Sequence, residues 1–505
     1  MSERDAGSGS VASNVIYTAG GGIAIALVTV LTIPFYLLAI GRERYGVLVV
    51  FWTVVATLTL LELGVSGATT QRIASVSKDN PIERDRLFSS AMMMNAIMGL
   101  VGSLVAIFAI QFIATKLSFS TEAARVEFVA CWPAMAAIFP IMTIRNIAQA
   151  AMVATHKFKP LAVICVAEAI AVAVVPLAVA WCLTIEVPAL LASIVVIKGL
   201  TLVFMTGYYT RVTPQFTFQM PRMAIVKSLL GFGLWATVSS VITLIFVSLD
   251  RFLIAGKVGV AAIPLYSVPQ SITQHLSIVP RAFTNVLYPR FSAASTTVDA
   301  MAMSVRAIDA TNYLLVPVCV FAIIVIEPFL SLWVGADFAA GARVVAFAFI
   351  IGAWASGLGR IPGMMLYGRG LPGKVAKIHA IELLPFVVLL FFAVKFFGIV
   401  GAAIVVVGRM VVDTLLLARS AGLARLLLRL SRVPTIFLLA GTLLGLSLAL
   451  DSPLRWMLAG GLSVATLAWF VLSMPSEMAR LVTQYAPILR SVPFGKLSRP
   501  VPALD

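Results

Sequence analysis

The chain has 505 residues, of which 61% are hydrophobic and only 11% are charged. A soluble protein of this size carries roughly a quarter of its residues as charged side chains, so the composition excludes a water-soluble enzyme and indicates a polytopic membrane protein. The formal net charge is +16, from 37 basic and 21 acidic residues. Most basic residues lie in short segments between apolar runs, which favours a role in membrane topology over nucleic-acid binding.

The N-terminal segment predicts no cleaved leader. Residues 1–10 are polar and rich in Gly and Ser, and they lack the basic stretch, short apolar run and cleavage site of a signal peptide. The apolar run 14–40 follows. Because a helix rises about 1.5 Å per residue, this run is long enough to cross a bilayer and is expected to remain as a transmembrane helix.

Apolar runs of about twenty residues, the length that crosses a hydrocarbon core of roughly 30 Å, recur along the whole chain. About fourteen transmembrane helices are predicted, and they cover residues 14–40, 46–65, 87–115, 126–154, 161–183, 188–209, 224–249, 260–287, 307–333, 344–367, 375–394, 399–418, 433–450 and 454–474. With a cytoplasmic N-terminus, the inner segments carry 23 of the 37 basic residues and the outer segments carry 9. The positive-inside rule therefore predicts that both termini are cytoplasmic.

The first six and the next six predicted helices correspond loosely. Each set opens with a long helix followed by a short charged loop that contains glycine, at 41–46 and at 250–257. Such duplication is common in transporters, where the binding site lies between the repeats. The predicted parts are a cytoplasmic tail 1–13, an N-lobe 14–222, a C-lobe 223–432, a helix pair 433–474 and a cytoplasmic tail 475–505.

Residues for bond-making chemistry or metal binding are scarce. The four cysteines, Cys131, Cys165, Cys182 and Cys319, lie in apolar segments without CxxC spacing, so neither a disulfide framework nor a metal site is predicted. The three histidines lie far apart, and no Ser, His and Asp stand at catalytic spacing. No GxxxxGK[ST] loop is present. No catalytic residue, metal, cofactor or internal ATPase is expected.

Five basic residues fall well inside predicted helices, away from the helix ends, namely Arg145, Lys198, Arg281, Arg360 and Arg409. A cation at mid-bilayer costs about 3 kcal/mol or more, so each should face a wet interior or a partner. Arg145 and Arg281 lie deep in one helix of each predicted lobe, and neither has an acid three or four residues away. We predict that both line a cationic cavity; snorkelling, or pairing across helices with Glu168 or Glu382, is the alternative.

The expected positions of the three remaining intramembrane cations differ from one another. Arg360 follows two nearby glycines and is expected to line the same cavity, whereas the flexible stem of Lys198 can carry its ammonium toward an interface. Arg409 and Asp413 stand four residues apart on one helical face and are expected to form a structural ion pair. Tryptophans such as Trp52 could stack on sugar rings, although anchoring at the membrane interface is their commoner use.

Several short motifs follow one another along the chain. They are TIP at 32–34 leading to GRERYG at 41–46, LG at 63–64 before a basic loop, LDRFLI at 249–254, the stretch 266–280 leading to YPR at 288–290, and GIVGAA at 398–403 followed by Arg409. In this order they resemble the oligosaccharide flippases of the polysaccharide transporter type, members of the multidrug/oligosaccharidyl-lipid/polysaccharide exporter superfamily. The resemblance implies a V-shaped transporter of two six-helix lobes around a central cationic cavity that opens alternately to each side.

The resemblance also implies a substrate and a location. The substrate would be a glycan on an undecaprenyl pyrophosphate carrier, moved from the cytoplasmic to the periplasmic leaflet of a bacterial inner membrane for lipopolysaccharide, exopolysaccharide or another surface polysaccharide. Arg145, Arg281, Arg360 and Arg409 fit the site for phosphate and sugar by position. Expected partners are the lipid-linked oligosaccharide, membrane lipids, and polysaccharide polymerase and export machinery, with no nucleic acid.

Other functions stay open. A cation-coupled multidrug exporter would need an acidic cavity, whereas the intramembrane charges lean basic and the predicted helix 14–40 contains no acid. A membrane glycan polymerase or ligase would need Arg and His residues in outer loops, and the short outer loops contain no histidine. A structural subunit of a glycosyltransferase complex is a further alternative. The sequence does not choose between an ion gradient and downstream consumption of the glycan as the driving force.

Overall fold

The computed structural model describes residues 3–58, 65–76, 80–155, 157–213, 217–278, 280, 281, 284, 287, 291 and 296–474. In chain order the α-helices are α1 (Glu3–Leu58), α2 (Val65–Ser75), α3 (Pro81–Lys116), α4 (Glu122–Ala130), α5 (Trp132–Ala154), α6 (Phe158–Cys182), α7 (Val187–Val212), α8 (Met223–Lys257), α9 (Ile263–Gln274), α10 (Thr297–Trp333), α11 (Ala336–Gly368), α12 (Pro372–Ser420), α13 (Ala424–Ser447) and α14 (Pro453–Leu472). Two 3-10 turns, Val260–Ala262 and His275–Ser277, flank α9.

The fold class predicted from the sequence is confirmed. Over the described ranges the regular structure is helical and contains no β-strand. Nine helical stretches in this part of the chain are long and apolar enough to cross a membrane. The protein is therefore an all-α polytopic membrane protein, in which lipid covers the apolar faces that a soluble protein would have to bury.

Two of the helices each contain two predicted transmembrane helices. α1 is interrupted at Gly41, with φ 75° and ψ 171°, and α12 is interrupted at Gly398, with φ 58° and ψ −138°. Both residues adopt positive φ, which a side chain would strain and glycine tolerates. The predicted outer loops at these positions are thus reduced to corners at single glycines.

Several helix boundaries differ from the predicted ones. α1 begins at Glu3, within the segment predicted as a tail, and α13 begins at Ala424, ahead of the predicted start at residue 433. The predicted helix 126–154 is divided into α4 and α5 at Cys131. Pro133 explains the division, because it lies in the first turn of α5 and has no N–H to continue the ladder of α4.

α2 is a helix where the sequence predicted a cytoplasmic loop. It has 11 residues, too few to cross a bilayer, so apolar length could not reveal it. Its Val65, Ala68 and Ile73 are almost completely buried in a hydrophobic cluster with Phe88 of α3 and Ile147 of α5. Packing against these longer helices stabilises α2, since a helix this short is marginal by itself.

The chain forms two compact units, Met1–Pro264 and Leu265–Asp505. In the first unit α3 packs on α5, α1 packs on α6, and α7 packs on both α5 and α6. In the second unit α11 packs between α10 and α12, and α13 and α14 pack on α10. The predicted V shape and the predicted lobe boundary at residues 222 and 223 stay predictions. The predicted tail 475–505 and the LG and YPR motifs lie outside the described residues.

Backbone contacts hold the end of α8 against the loop between α3 and α4. Ser118, in the loop between α3 and α4, donates its N–H to Ala255 O at 2.9 Å and accepts from Val260 N at 3.0 Å. Gly46 of α1 lies so close that a Cβ there would meet the Val260 carbonyl oxygen at 2.2 Å. Glycine at this point of the GRERYG motif is therefore required by the close approach of two backbones.

The segment before α8 is held against α3 by hydrogen bonds. Asp85, Ser89 and Ser90 of α3 accept hydrogen bonds from backbone N–H groups in the segment 217–222, at 3.0, 3.2 and 3.3 Å respectively. The Asp85 carboxylate is buried and also accepts from Arg84 at 3.0 Å. These contacts satisfy backbone donors that no helix satisfies.

In the second unit a buried ion-pair network joins α14 to the rest of the unit. The Glu327 carboxylate of α10 lies 2.8 Å from Arg455 of α14 and 3.3 Å from Arg343 of α11. Arg455 is only 3% exposed, and Tyr313 of α10 stacks on Phe470 of α14 at 4.2 Å between ring centroids. α14 is thus attached near its start by charge and near its end by aromatic packing.

Candidate functional site

A cavity of about 420 Å³ lies inside the first unit, lined by α1, α5, α6 and α7. Most of its wall is apolar. Its polar, aromatic and cysteine lining residues are Thr29, Thr32, Tyr36, Tyr45, Trp52, Arg145, Cys165, Glu168 and Lys198. The cavity has the size of a small-ligand site, with a few polar groups on an apolar surface.

One acidic and two basic side chains meet in the wall of this cavity. Arg145 of α5 donates from Nε to Glu168 Oε2 of α6 at 3.0 Å, and its Nη2 contacts the same oxygen. Lys198 of α7 contacts the other oxygen, Glu168 Oε1. Arg145 also donates to Gln149 Oε1 at 3.1 Å. We call Arg145, Glu168 and Lys198 the charge triad.

The charge triad has a net charge of +1, because two cations surround one carboxylate. The side chains of Glu168, Arg145 and Lys198 are only 4%, 11% and 15% exposed. Two cations around one carboxylate leave a net charge of +1 in a low-dielectric setting, where it acts more strongly than in water. An anion in the cavity would complete the neutralisation.

The sequence identified Arg145 and left open its pairing with Glu168; the structure forms that pair. The sequence showed only that the flexible stem of Lys198 can carry its ammonium toward an interface, and in the structure the ammonium contacts Glu168. A single carboxylate such as Glu168 in an apolar helix predicts a cationic partner. The sequence alone could not show that two cations, Arg145 and Lys198, would contact it. Trp52 faces Lys198, with the ammonium 5.8 Å from the ring centroid, which supports a cation–π contact.

Hydroxyl groups and aromatic rings complete the cavity wall. Tyr36 donates to the Ala173 carbonyl at 3.0 Å, and its ring lies 6.2 Å from that of Tyr45. Thr32 donates to a carbonyl on its own helix at 3.0 Å. Each hydroxyl oxygen can still accept a hydrogen bond from a ligand. The cations of the wall suit an anionic group, whereas the hydroxyl acceptors suit hydrogen-bond donors of a polar ligand.

In the second unit two arginines lie near one another without an acid. Arg281 is exposed, and Arg360 of α11 is half-buried, with its Nε atom fully buried and without a hydrogen-bond partner. Their guanidinium groups are close enough to repel one another. Among the described residues neither forms an ion pair, so the pair carries a charge of +2. We call Arg281 and Arg360 the arginine pair.

Close packing places Arg281 beside α11. A Cβ at Gly357 would lie 2.8 Å from Cγ of Pro280, so glycine lets the chain around Pro280 lie directly against α11. Arg360 stands one helical turn after Gly357 on the same helix. The absence of a side chain at Gly357 therefore allows Arg281 and Arg360 to lie near one another.

Arg409, the fourth predicted site residue, lies beside acidic groups of its own helix. Its Nη1 is 3.5 Å from Glu382 Oε2, and its guanidinium is 5.6 Å from the Phe386 ring centroid. Asp413, its predicted partner, lies 3.4 Å from His379 Nε2. The sequence did not anticipate these contacts across the Gly398 corner, and the Arg409–Asp413 pair stays a prediction.

Within the described residues no three or more His, Cys, Asp and Glu side chains form a group that could hold a metal ion. Cys165, which lines the cavity, has its Sγ 3.8 Å from Arg145 Nη2. The hydroxyl, ammonium and guanidinium groups of the cavity wall can form hydrogen bonds, and the two cationic groups attract anions.

Comparisons with known proteins agree with this fold. Residues 39–342 match a protein family described as polysaccharide biosynthesis protein. A Shigella flexneri protein named "Putative O-antigen transporter" is 23% identical over 415 residues, which are 81% of this chain and 97% of that protein.

Two solved structures share the fold at low sequence identity. Lipid II flippase MurJ in an inward closed conformation has a TM-score of 0.68 and 13% identity, and the match covers 94% of this chain and 99% of that one. A multidrug resistance MATE family transporter in an inward-facing conformation has a TM-score of 0.57 and 15% identity, with 84% and 96% covered.

Proposed function

This chain belongs to the polysaccharide biosynthesis protein family, and from that premise we propose that it is a flippase for a lipid-linked oligosaccharide. Its cargo would be a glycan repeat unit on undecaprenyl pyrophosphate, moved from the cytoplasmic to the periplasmic leaflet of a bacterial inner membrane. Both chain termini would be cytoplasmic. The relative named as an O-antigen transporter supports glycan transport, and the fold shared with a lipid II flippase supports the lipid-linked form.

The observation that carries this proposal is the positive charge left unneutralised by the described residues. The arginine pair carries +2 and the charge triad carries +1. A guanidinium stays charged when half-buried and binds phosphate through a two-pronged fork of hydrogen bonds. We assign the pyrophosphate to Arg281 and Arg360 of the second unit, and we propose Arg145 as a contact for anionic groups in the cavity of the first unit. Arg409 would contribute least, since Glu382 already lies beside it.

Transport of this kind needs no bond chemistry. Moving sugars and phosphates through hydrocarbon is slow because polar groups lose their hydration there. The protein would lower that barrier with hydrogen bonds and fixed cations, while the lipid tail stays in the bilayer, and it would release the cargo by alternating access. Polysaccharide polymerase and export machinery would act on the glycan after release. The protein would thus be a transporter and not an enzyme.

Export of cationic drugs is the second candidate, since a multidrug transporter shares the fold. A drug cation would meet the net positive charge triad and the arginine pair, and like charges disfavour binding in a low-dielectric site. The charge pattern therefore supports an anionic cargo over a cationic one.

Deletion of the gene in its host tests the proposed function. We expect the surface polysaccharide to disappear and single lipid-linked repeat units to accumulate on the cytoplasmic leaflet, where mass spectrometry of extracted lipids identifies them. The plasmid-borne wild-type gene should restore the polysaccharide. Repeat units that reach the outer leaflet but stay unpolymerised would instead indicate a polymerase. An unchanged glycan with lost drug resistance would indicate the exporter.

A further inference from the structure

The start of α13 carries a row of exposed arginines that the proposed transport does not use. Arg425, Arg429 and Arg432 are all exposed. Their spacing of four and three residues places them one after another on the same side of the helix, where neighbouring Cβ atoms stand about 5–6 Å apart. We call Arg425, Arg429 and Arg432 the basic stripe.

The same face of α13 continues as an apolar surface. At 3.6 residues per turn, the basic stripe and four later residues of the helix share an arc of about 100°. The four later residues are between 40% and 65% exposed, and they are Ile436, Leu439, Leu443 and Leu446. In a membrane protein, apolar side chains with this exposure contact the acyl chains of lipids. One helix face therefore changes along its length from cationic to lipid-facing.

The opposite face of α13 is packed, and this packing fixes the direction in which the basic stripe faces. Leu427, Pro434, Leu438 and Gly441 are buried on that opposite face. A Cβ at Gly441 would lie 3.4 Å from Cγ2 of Ile323 on α10. α13 therefore cannot rotate the stripe toward α10 without losing these contacts.

No acid in the surrounding sequence neutralises the basic stripe. Residues 414–450 contain no Asp or Glu, and the stretch 419–432 contains four arginines. The fourth is Arg419, which is exposed at the end of α12. Among the residues that the structure describes, none forms an ion pair with a member of the stripe. The positive charge of this surface is therefore available to an anion from outside the protein.

The depth of the basic stripe matches the headgroup layer of a membrane. At 1.5 Å per residue, the stripe extends about 10 Å along α13. The headgroup region adds roughly 5–8 Å on each side of the hydrocarbon core. The exposed apolar residues place the later turns of α13 in the hydrocarbon, so the arginines come at its edge. Their long side chains can extend from there to the lipid phosphates.

Membrane topology alone does not explain this arrangement. The positive-inside rule concerns the number of basic residues on one side of the membrane, and it places no requirement on the helix face that carries them. Arginines that served only topology could stand anywhere on the exposed surface of α13. Their alignment with the exposed leucines instead matches an amphiphilic ligand that has a charged head and apolar tails.

We infer that the basic stripe binds the phosphate of an anionic phospholipid whose acyl chains lie along the apolar face of α13. Two neighbouring guanidinium groups can hold one phosphate through forked hydrogen bonds, and they stay charged at the membrane surface. Basic clusters next to a transmembrane helix attract anionic lipids. The site shares no residue with the arginine pair or the charge triad, so it is separate from the proposed cargo contacts.

Native mass spectrometry of the purified full-length protein in an uncharged detergent tests the site. Phosphatidylglycerol is the probe, and phosphatidylcholine, which has no net charge, is the comparison lipid. The wild type should bind phosphatidylglycerol more tightly than phosphatidylcholine. The stripe variant combines Arg425→Gln, Arg429→Gln and Arg432→Gln. Its affinity for phosphatidylglycerol should fall about tenfold or more, because hydrogen bonds to charged groups are lost.

A second triple variant controls for net charge. It combines Arg211→Gln, Lys374→Gln and Lys377→Gln, which remove three exposed basic residues of α7 and α12. The net charge changes by the same amount, and the preference for phosphatidylglycerol should stay as in the wild type. An equal loss of affinity in both variants would indicate general charge attraction and overturn the site. Wild-type affinity in the stripe variant would also overturn it.

Two competitors identify the ligand. Glycerol 3-phosphate carries a phosphate without acyl chains, and it should not displace phosphatidylglycerol at equal concentration. Displacement would indicate a site for free phosphate and overturn the proposal. Undecaprenyl phosphate carries its phosphate on a polyprenyl chain and should bind the stripe more weakly than phosphatidylglycerol. Tighter binding, lost in the stripe variant, would assign the stripe to a polyprenyl carrier and overturn the proposal as well.

Thermal unfolding supplies an independent readout. Phosphatidylglycerol should raise the unfolding midpoint of the wild type, because a ligand that binds the folded state stabilises it, and should raise that of the stripe variant less. If the stripe variant does not fold, Arg425→Gln with Arg429→Gln serves in its place and should show a partial loss. An equal rise in wild type and variant would overturn the site. These measurements use no glycan, so their outcome does not depend on the proposed function.

Discussion

Glu168→Gln is expected to destabilise the first unit by about 3–5 kcal/mol, the usual penalty for removing one partner of a buried ion pair. The substitution keeps the shape of the side chain but leaves Arg145 and Lys198 as two buried cations without a carboxylate between them. The thermal-unfolding midpoint of the purified protein should fall accordingly. Glu186→Gln, at an exposed position, should leave the midpoint unchanged.

A second variant separates charge from shape in this prediction. Glu168→Gln combined with Lys198→Met removes one cation together with the carboxylate, and it should recover much of the lost stability because only Arg145 remains charged. Additive destabilisation by the two substitutions would contradict the charge triad, as would a Glu168→Gln protein as stable as the wild type.

Arg281→Gln combined with Arg360→Gln is expected to abolish export of the glycan without destabilising the protein. A hydrogen bond to a charged group contributes about 1.5–3 kcal/mol, so each single variant should lower export by about tenfold or more. Export is measured as surface polysaccharide in the deletion strain that carries each variant. Arg211→Gln, which removes an exposed arginine of α7, is the control and should export normally.

Stability distinguishes the arginine pair from the charge triad. Arg281 and Arg360 repel one another and form no ion pair within the described residues, so their removal should leave the unfolding midpoint equal or higher. Arg→Lys at either position keeps the charge and loses the fork, so export should be intermediate. Wild-type export by the double variant would contradict the assignment of the pyrophosphate to these residues.

Much of the fold could be predicted from apolar length alone. Each bilayer crossing needs about twenty apolar residues, so the order of the long helices follows directly from the sequence. The resemblance to flippases, based on short ordered motifs, is confirmed by the family match over residues 39–342. α2 could not be predicted because its stability comes from tertiary packing. The corners at Gly41 and Gly398 could not be predicted because a single glycine makes each turn where a loop of several residues was expected.

The candidate site could be predicted only in part. The cost of burying a cation identified Arg145, Arg281 and Arg360 without any structure. The sequence could not show which of these arginines would form an ion pair. Glu168 stands 23 residues from Arg145 in sequence and contacts it only because their two helices pack together. For the same reason the sequence could not show that Lys198 contacts Glu168, which lies on a neighbouring helix.

Charge is left unbalanced in each unit taken by itself. The charge triad of the first unit has one positive charge more than its acid neutralises, and the arginine pair of the second unit has two. Anionic groups would neutralise either set of cations. Unbalanced charge is disfavoured where water is scarce, and this rule supports the proposed anionic cargo.

A flipping measurement with the purified protein tests the proposed transport of a lipid-linked oligosaccharide. Labelled lipid-linked oligosaccharide is incorporated into liposomes with and without the protein, and the fraction exposed to a membrane-impermeant glycan-modifying reagent is followed over time. We expect the protein to speed the appearance of inner-leaflet glycan at the outer surface while the mass of the glycolipid stays unchanged. Equal rates with and without the protein, or a glycolipid of altered mass, would contradict it.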